Sequence, residues 1–181
     1  MISEKEIIEL LARPKTRDEG FRLLVTKFRE PIYWHIRRLV VRHEDSEDVM
    51  QECFINIYRY IDNFKGDSSL KTWIYKIATN EALRHCTKRQ LEIDSYDQKN
   101  RLVDLFTSEK SVDFDSAEAV LQKAILMLPE KQRVVFNLRY YDQMEYEQIA
   151  EVTGSSVATL KTNYHYAKTK IKEYVLNSME E

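Results

Sequence analysis

Residues 145–172 read EYEQIAEVTGSSVATLKTNYHYAKTKIK, and their pattern indicates two helices joined by a tight turn. Apolar residues recur at helical spacing on both sides of Gly154, a residue type that enters left-handed turns without a steric penalty. Ser156 follows the turn and can cap the second helix through its hydroxyl oxygen. A helix-turn-helix of this kind places its second helix in the major groove of DNA.

The charge of the second helix suits contact with phosphate. Between positions 157 and 172 every charged residue is a lysine, at positions 161, 168, 170 and 172. A basic helix is expected where a protein faces the DNA backbone. A hairpin inside an ordinary helical bundle can also contain a glycine turn. The motif by itself therefore leaves two interpretations open, a DNA-binding element and a purely structural hairpin.

The composition favours an all-α fold. Hydrophobic residues make up 43% of the 181 residues, which is enough for a packed core, and charged residues make up 32%. A β-rich chain of this length would need more turn residues than 3 Gly and 3 Pro. Ser3 and Glu6 have the spacing of a capping box at the start of a first helix. Pro31 interrupts an apolar run and predicts a kink or a new helix there.

Helical periodicity divides the chain into three parts. It holds over residues 1–90, fades over residues 91–115, and returns over residues 116–181. We therefore predict two small helical domains joined by a flexible linker, with a short helix near residues 102–106.

Charge is distributed unevenly, although the net charge is only −2. Residues 65–89 contain six basic and two acidic side chains, whereas residues 42–64 contain two basic and six acidic ones. Neighbouring helices of opposite sign indicate two different partners.

The acidic segment forms one face of a helix. Asp48, Gln51 and Glu52 stand at i, i+3 and i+4 and share that face, while Val49 and Cys53 point to the core. An acidic face fits a basic partner helix, but a simply solvated face is the structural alternative. A metal site is a further alternative, and its ligands would be His43, Glu47, Asp48 and Glu52. No matching cluster of ligands exists elsewhere in the sequence, which argues against it.

The cysteine and hydropathy patterns predict a cytoplasmic protein. Cys53 and Cys86 lie in apolar helical contexts without CxxC spacing, as buried thiols do in a reducing compartment. No apolar run approaches the roughly 20 residues of a membrane span, and no signal peptide is visible at the amino terminus. We expect no membrane insertion and no cofactor.

Three segments in series carry a resemblance to a known family. Residues 45–54 read DSEDVMQECF, residues 64–68 read FKGDS and lead into TWIYKIA at 72–78, and residues 128–136 read LPEKQRVVF ahead of the helix-turn-helix. In order and spacing these segments resemble region 2.2, the −10 reader and region 4 of the extracytoplasmic-function sigma factors of RNA polymerase. The resemblance covers nearly the whole chain. It implies a sigma factor that directs core polymerase to promoters and is not itself an enzyme.

The resemblance implies three sets of site residues. The core-polymerase set, facing the β′ clamp helices, is Asp45, Asp48, Gln51 and Glu52. The −10 set, which includes a pocket for a flipped base, is Phe64, Lys65, Ser68, Trp73, Lys76, Asn80, Arg84, Lys88 and Arg89. The −35 set is Ser156, Thr159, Lys161, Thr162, His165 and Tyr166. The β flap of the polymerase and an anti-sigma factor, often membrane-bound in such systems, are further implied partners.

Aromatic residues among the bases of residues 65–89 suit melted DNA, where cations track phosphates and rings stack on bases. The structural alternative is that Trp73 and Tyr75 belong to the core. The helix-turn-helix also departs from the family pattern. Tyr164 and Ser155 stand where aliphatic residues are usual, and Asn163 and Tyr166 stand where basic residues are common. The promoter sequence therefore cannot be inherited from relatives.

Two rival functions remain open at this point. One is a stand-alone regulator that uses only the helix-turn-helix, which would bind an operator tightly without polymerase. The other is a helical metal-dependent enzyme built on the acidic helix, which would lose activity with a chelator.

Overall fold

The computed structural model describes residues 3–91, 102–104, 106 and 117–179, and these residues form helices without a single strand among them. The predicted all-α fold is confirmed. The helices are α1 (Glu4–Leu11), α2 (Arg17–Val40), α3 (His43–Tyr60), α4 (Leu70–Leu91), α5 (Ala117–Leu126), α6 (Glu130–Tyr140), α7 (Tyr146–Thr153) and α8 (Val157–Met179). A 3-10 turn, Ile61–Asn63, follows α3. The predicted linker lies mostly outside the described residues, and residues 102–104 and 106 are helical, as predicted.

The first helix packs against the start of the second. The predicted capping box is present, because the Ser3 hydroxyl accepts from the backbone N–H of Glu6 while the Glu6 carboxylate accepts from the backbone N–H of Ser3. The two helices cross closely at Gly20, where an added Cβ would lie 2.9 Å from the backbone nitrogen of Leu11. Glycine is required there for space, since its backbone is ordinary helix.

Of the two outcomes predicted at Pro31, a kink or a new helix, the new helix is wrong. Helix α2 continues through Pro31, whose ring lies at the exposed side of the helix. On the opposite side Leu24, Phe28, Ile32 and Ile36 are almost completely buried. Tertiary packing of this stripe outweighs the hydrogen bond that proline removes, because most helical stability in proteins comes from burying the apolar face.

Helices α2, α3 and α4 form the core of the amino-terminal half. Helix α3 buries Cys53 and Ile57 and, less completely, Val49, as the sequence predicts. Helix α4 buries Leu70 and Ile74 against them. The hydroxyl of Ser69 accepts from the backbone N–H of Thr72 at 3.0 Å, so α4 has a side-chain cap.

The carboxyl-terminal half contains the predicted helix-turn-helix. Gly154 ends α7 with φ 71 and ψ 12, the left-handed conformation that favours glycine, and its N–H donates to the carbonyl of Ala150. The Ser156 hydroxyl accepts from the backbone N–H of Thr159 at 3.2 Å and caps α8. Ile149 on α7 and Leu160 on α8 are buried between the two helices.

The two halves share one core. A continuous set of buried apolar residues runs from α2 and α4 into α6 and α7, where it includes Val134, Leu138, Met144 and Ile149. A smaller second cluster lies between α5, α6 and α8. The two predicted halves are therefore packed against each other in this structure.

Replacing Gly20 by alanine tests the close helix crossing. Overpacking costs about 1–3 kcal/mol, while the better helix propensity of alanine returns about 1 kcal/mol. Because the added Cβ would meet backbone atoms, we expect the free energy of unfolding to fall by about 1–2 kcal/mol, measured by urea denaturation of the full chain. The control is Glu19→Ala at the exposed neighbouring position, which should change stability by less than about 0.5 kcal/mol. Equal midpoints for the two variants would contradict the crossing.

Candidate nucleic-acid interface

The outer face of α8 carries the six residues predicted to read the −35 element. All six side chains are exposed, and they are Ser156, Thr159, Lys161, Thr162, His165 and Tyr166. The opposite face of α8 is held in place by buried Leu160, Ala167 and Ile171. The helix therefore presents a rigid, polar and basic surface to solvent, which is the geometry that major-groove recognition requires.

The half-buried ring of Tyr146 on α7 contacts side chains of both α6 and α8 below this surface. The ring of Tyr146 on α7 lies with its centroid 5.2 Å from the guanidinium carbon of Arg139 and 5.7 Å from Nζ of Lys161. Arg139 also donates to the carbonyl of Met144 at 2.7 Å. Cation–π contacts of this kind contribute only about 0.5–1 kcal/mol at exposed sites. Arg139 therefore lies at the edge of this surface, 3.2 Å from a carboxylate oxygen of Glu145, and the sequence-based prediction missed it.

Tyr164 stands where the family usually has an aliphatic residue, and the packing around it accommodates its ring. Its ring stacks at 5.9 Å from Phe136 and meets the edge of Tyr146 at 6.3 Å. Burial raises the pKa of the Tyr164 hydroxyl. Ser155, the other departure, lies in the turn, where its N–H donates to the Thr153 hydroxyl at 3.3 Å. Neither departure disturbs the fold of the motif.

The predicted −10 residues of α4 form one exposed face. Lys76, Asn80 and Arg84 recur at i, i+4 and i+8 and are all exposed, and Lys88 continues the row. Arg89 lies in the last turn of α4, and its side chain is outside the described residues. The row is basic apart from Asn80, so it can follow a phosphate backbone.

The loop before α4 adds an aromatic pair to this face. The rings of Phe64 and Trp73 lie 5.4 Å apart, and both are half-buried. Lys65 is exposed and Ser68 half-buried in the same loop, where Gly66 has φ +80. The aromatic pair therefore lies next to cations at the surface, an arrangement that can hold an unstacked base.

Tyr75 does not belong to this face. It is 2% exposed, and burial raises the pKa of its hydroxyl. The structural alternative is correct for Tyr75, whereas Trp73 packs on Phe64 and keeps part of its ring at the surface.

The acidic face of α3 is also exposed. It borders α4 on one side and a groove between α2 and α3 on the other. Asp48, Gln51 and Glu52 are exposed, as predicted. Asp48 and Glu52 line a cleft with Arg84 and Lys88 of α4, so the acidic face and the basic row meet. Asp45 is half-buried with an oxygen 3.8 Å from Nε2 of His85, which places it deeper than the other three predicted residues.

On its other side the acidic face borders an apolar groove between α2 and α3. The groove is lined by Phe54, Ile55 and Tyr58 of α3 and by Phe21 and Val25 of α2. Ile55 is 49% exposed and Tyr58 is 43% exposed. Two large apolar side chains at i and i+3 on an otherwise polar face are the sequence signal that could have identified this groove.

A metal centre finds no support in the part of the chain that the structure describes, which contains no group of three or more candidate ligands. His43 contacts the Tyr33 hydroxyl at 2.7 Å through Nδ1 and Glu47 at 3.7 Å through Nε2. Both ring nitrogens thus have protein partners. Within the described residues, no helix is both long and apolar enough to cross a lipid bilayer.

Comparisons with known proteins agree with the fold. Residues 24–92 match the family model of sigma-70 region 2, and residues 118–171 match that of sigma-70 region 4. The RNA polymerase sigma-H factor of Pseudomonas aeruginosa is 31% identical over 94% of this chain and 94% of its own length. The extracytoplasmic-function RNA polymerase sigma-E factor of Haemophilus influenzae is 30% identical over 87% of this chain and 88% of its own length.

Two solved structures have the same fold. One is the sigma factor RpoE of Bartonella quintana in complex with the anti-sigma factor NepR, with a TM-score of 0.71 and 21% identity over 87% of this chain and 97% of that chain. The other is CnrH in complex with the cytosolic domain of CnrY, with a TM-score of 0.67 and 17% identity over 97% and 95%. The motifs, the helix-turn-helix and the full-length relatives together place this chain in the extracytoplasmic-function group of the sigma-70 family, the RNA polymerase sigma factors that direct promoter-specific transcription initiation.

Proposed function

We propose that the chain binds core RNA polymerase through α3, reads the −10 element with α4 and its preceding loop, and reads the −35 element with α8. One observation carries this division of labour. Each of the three helices buries one face in the core and exposes most of the residues on it that the sequence assigns to a partner, while Asp45 and Trp73 are half-buried. The three exposed surfaces differ in chemistry, so they suit three different partners.

The α3 surface suits a basic, amphipathic helical partner. Exposed acids on the face would pair with cations, and the adjoining apolar groove with Ile55 and Tyr58 would accept apolar side chains. Charge complementarity of this kind guides association and fixes register, while the buried apolar contacts supply most of the affinity. The β′ clamp helices of core polymerase are the partner that we propose for this surface, and the β flap is the one that we propose for the carboxyl-terminal half.

The α4 surface suits single-stranded DNA. The row of Lys76, Asn80 and Arg84 would track the non-template strand, and the Phe64–Trp73 pair would stack on an extruded base. Stacking on an aromatic ring is worth about 1–3 kcal/mol per base, so it can help to hold the melted −10 element open.

The α8 surface suits the major groove of duplex DNA. Lys161 can donate to guanine O6 and N7, and Thr162 can contact a thymine methyl group. Arg139 lies at the edge of the surface, where it pairs with Glu145. On this proposal the sigma factor itself performs no chemistry, and the polymerase supplies catalysis.

We further propose regulation by an anti-sigma factor that covers these surfaces. The RpoE neighbour described above was solved with an anti-sigma factor, and CnrH was solved with the cytosolic domain of a second protein, CnrY. The apolar groove between α2 and α3 is a surface that a regulator could occupy in place of polymerase.

Reconstitution with core polymerase tests the central proposal. We expect purified chain plus core polymerase to give run-off transcripts from defined genomic promoters, and neither component alone to do so. A stand-alone regulator would instead protect an operator from nuclease without polymerase. Absence of promoter-specific transcripts from the reconstituted enzyme would rule out the proposed function.

Charge reversal tests the α3 surface. The double variant Asp48→Lys/Glu52→Lys should weaken binding to core polymerase at least tenfold, equivalent to about 1.4 kcal/mol, because like charges then face the partner. Binding would be measured by titrating labelled chain with core polymerase. The control is Glu9→Lys/Glu19→Lys, which changes the net charge equally at exposed positions away from the face. Equal losses in both double variants would show a general charge effect and count against α3 as the docking helix.

Two lysine substitutions separate base reading from backbone contact. Lys161→Ala should change which −35 sequences are preferred, with discrimination falling by about 1–3 kcal/mol at one position. Lys88→Ala should weaken binding to all promoters about equally and reduce the salt dependence by about one phosphate contact. Sequencing of the transcripts made by each holoenzyme, at several salt concentrations, measures both effects. A change of sequence preference with Lys88→Ala but not with Lys161→Ala would reverse the proposed roles.

A further inference from the structure

One acid lies beside the basic row of α4. Glu81 directly follows Asn80 and is half-buried, with a side chain that is 14% exposed. Its carboxylate accepts one hydrogen bond from Nδ2 of Asn56 on α3 at 3.0 Å and another from Nη2 of Arg84, one turn later on α4. Glu81 therefore connects the helix that carries the acidic face to a guanidinium in the basic row.

Contacts with α3 fix the position of Glu81. A carboxylate only accepts, so the Asn56 amide must present its nitrogen to Glu81. Asn56 is half-buried and lies one turn after Glu52, which lines the cleft between the two helices together with Glu81 and Arg84. Burial raises the pKa of the Cys53 thiol on α3, and the nearby negative charge of Glu81 raises it further. The carboxylate thus lies between the inner side of α3 and the surface of α4.

Arg84 differs from the lysines of the row because its charge is paired. Its side chain is 68% exposed, so it stays accessible to a partner while its Nη2 donates to Glu81. Within the part of the chain that the structure describes, no ion pair involves Lys76 or Lys88. A lysine ammonium is a point charge on a flexible stem, whereas the planar guanidinium presents its donors in a fixed fork. The row therefore contains lysines that suit phosphate and one arginine whose orientation is set.

Stability does not account for an acid at position 81. An exposed ion pair such as that between Glu81 and Arg84 adds little to the free energy of folding, because water screens the charges. The amide oxygen of a glutamine could accept the hydrogen bond from Asn56 as well. Partial burial of a carboxylate also has a desolvation cost that a neutral amide largely avoids. The charge of Glu81 is better explained by its effect on Arg84.

We propose that Glu81 is a positioning residue for −10 recognition, which fixes the guanidinium of Arg84 so that it contacts one base edge rather than any nearby phosphate. The inference rests on the proposed function of α4 and adds a source of sequence selectivity to it. Arginine reads a base through parallel N–H donors, as on O6 and N7 of guanine. Fixing the side chain in advance lowers the ordering cost for the matching base, while a mismatched base leaves donors unpaired.

The substitution Glu81→Gln tests this role, because it keeps an acceptor for Asn56 and removes the charge that holds Arg84. Reconstituted holoenzyme would transcribe a promoter library with every −10 position randomised, and the transcripts would be sequenced. We expect discrimination between bases to fall roughly two- to tenfold at the position that Arg84→Ala identifies, with the −35 preference unchanged.

The salt dependence of promoter binding gives a second measurement. In Glu81→Gln the unpaired guanidinium can contact phosphate, so the slope of log affinity against log salt should steepen by about 0.7, the value for one contact on single-stranded DNA. The control is Glu9→Gln, an equal change of charge at an exposed position of α1, which should alter neither the base preference nor the slope.

A double variant and a stability measurement separate positioning from a structural role. In an Arg84→Ala background, Glu81→Gln should cause no further loss of discrimination, because Glu81 acts only through Arg84. The urea midpoint of Glu81→Gln should match that of wild type. An unchanged base preference in Glu81→Gln, or equal losses of discrimination with and without Arg84, would overturn the proposal. Promoter-specific transcription by the wild-type holoenzyme in the same experiment keeps these outcomes distinct from failure of the proposed function.

Discussion

The structure depends on one constraint, which is that each functional helix must bury one face to hold the other in place. Ile57 on α3, Ile74 on α4 and Leu160 on α8 are each 1% exposed or less. Truncating such a residue costs about 2–5 kcal/mol, whereas an exposed ion pair contributes about 0–1 kcal/mol. The core residues therefore set the rotation of each helix, and the charged residues occupy whatever surface remains. Contacts with a partner are therefore made by the faces that the core leaves exposed.

This constraint explains how much the sequence could predict. Helical spacing alone placed Cys53 inward and Asp48 outward on the same helix, and it located the turn at Gly154. The exposed rows on α4 and α8 follow from the same periodicity. The error of allowing a new helix at Pro31 has a local cause: the sequence shows the missing N–H, but not the buried stripe that carries α2 through this position. Tyr75 shows the same limit, because only the packing of α4 against its neighbours decides whether that ring is inside.

Features built from distant segments were not predictable at all. In the sequence Asp142 follows two tyrosines in a short polar segment and looks like an ordinary turn residue. In the structure its carboxylate lies 2.7 Å from Nδ1 of buried His35, which stands 107 residues earlier, and no local pattern connects the two. The apolar groove has the same origin, since Phe21 and Val25 come from α2 while Ile55 and Tyr58 come from α3. Periodicity assigns a face to each helix, but which faces meet depends on the whole fold.

With a net charge of −2, the whole chain has little general attraction for DNA, so the cations on the exposed faces of α4 and α8 act locally. A DNA surface that is weak in isolation contributes strongly once a second surface is tethered to the same complex, because the second contact becomes intramolecular. On the proposed function, promoter affinity therefore belongs to the assembled polymerase rather than to the free chain.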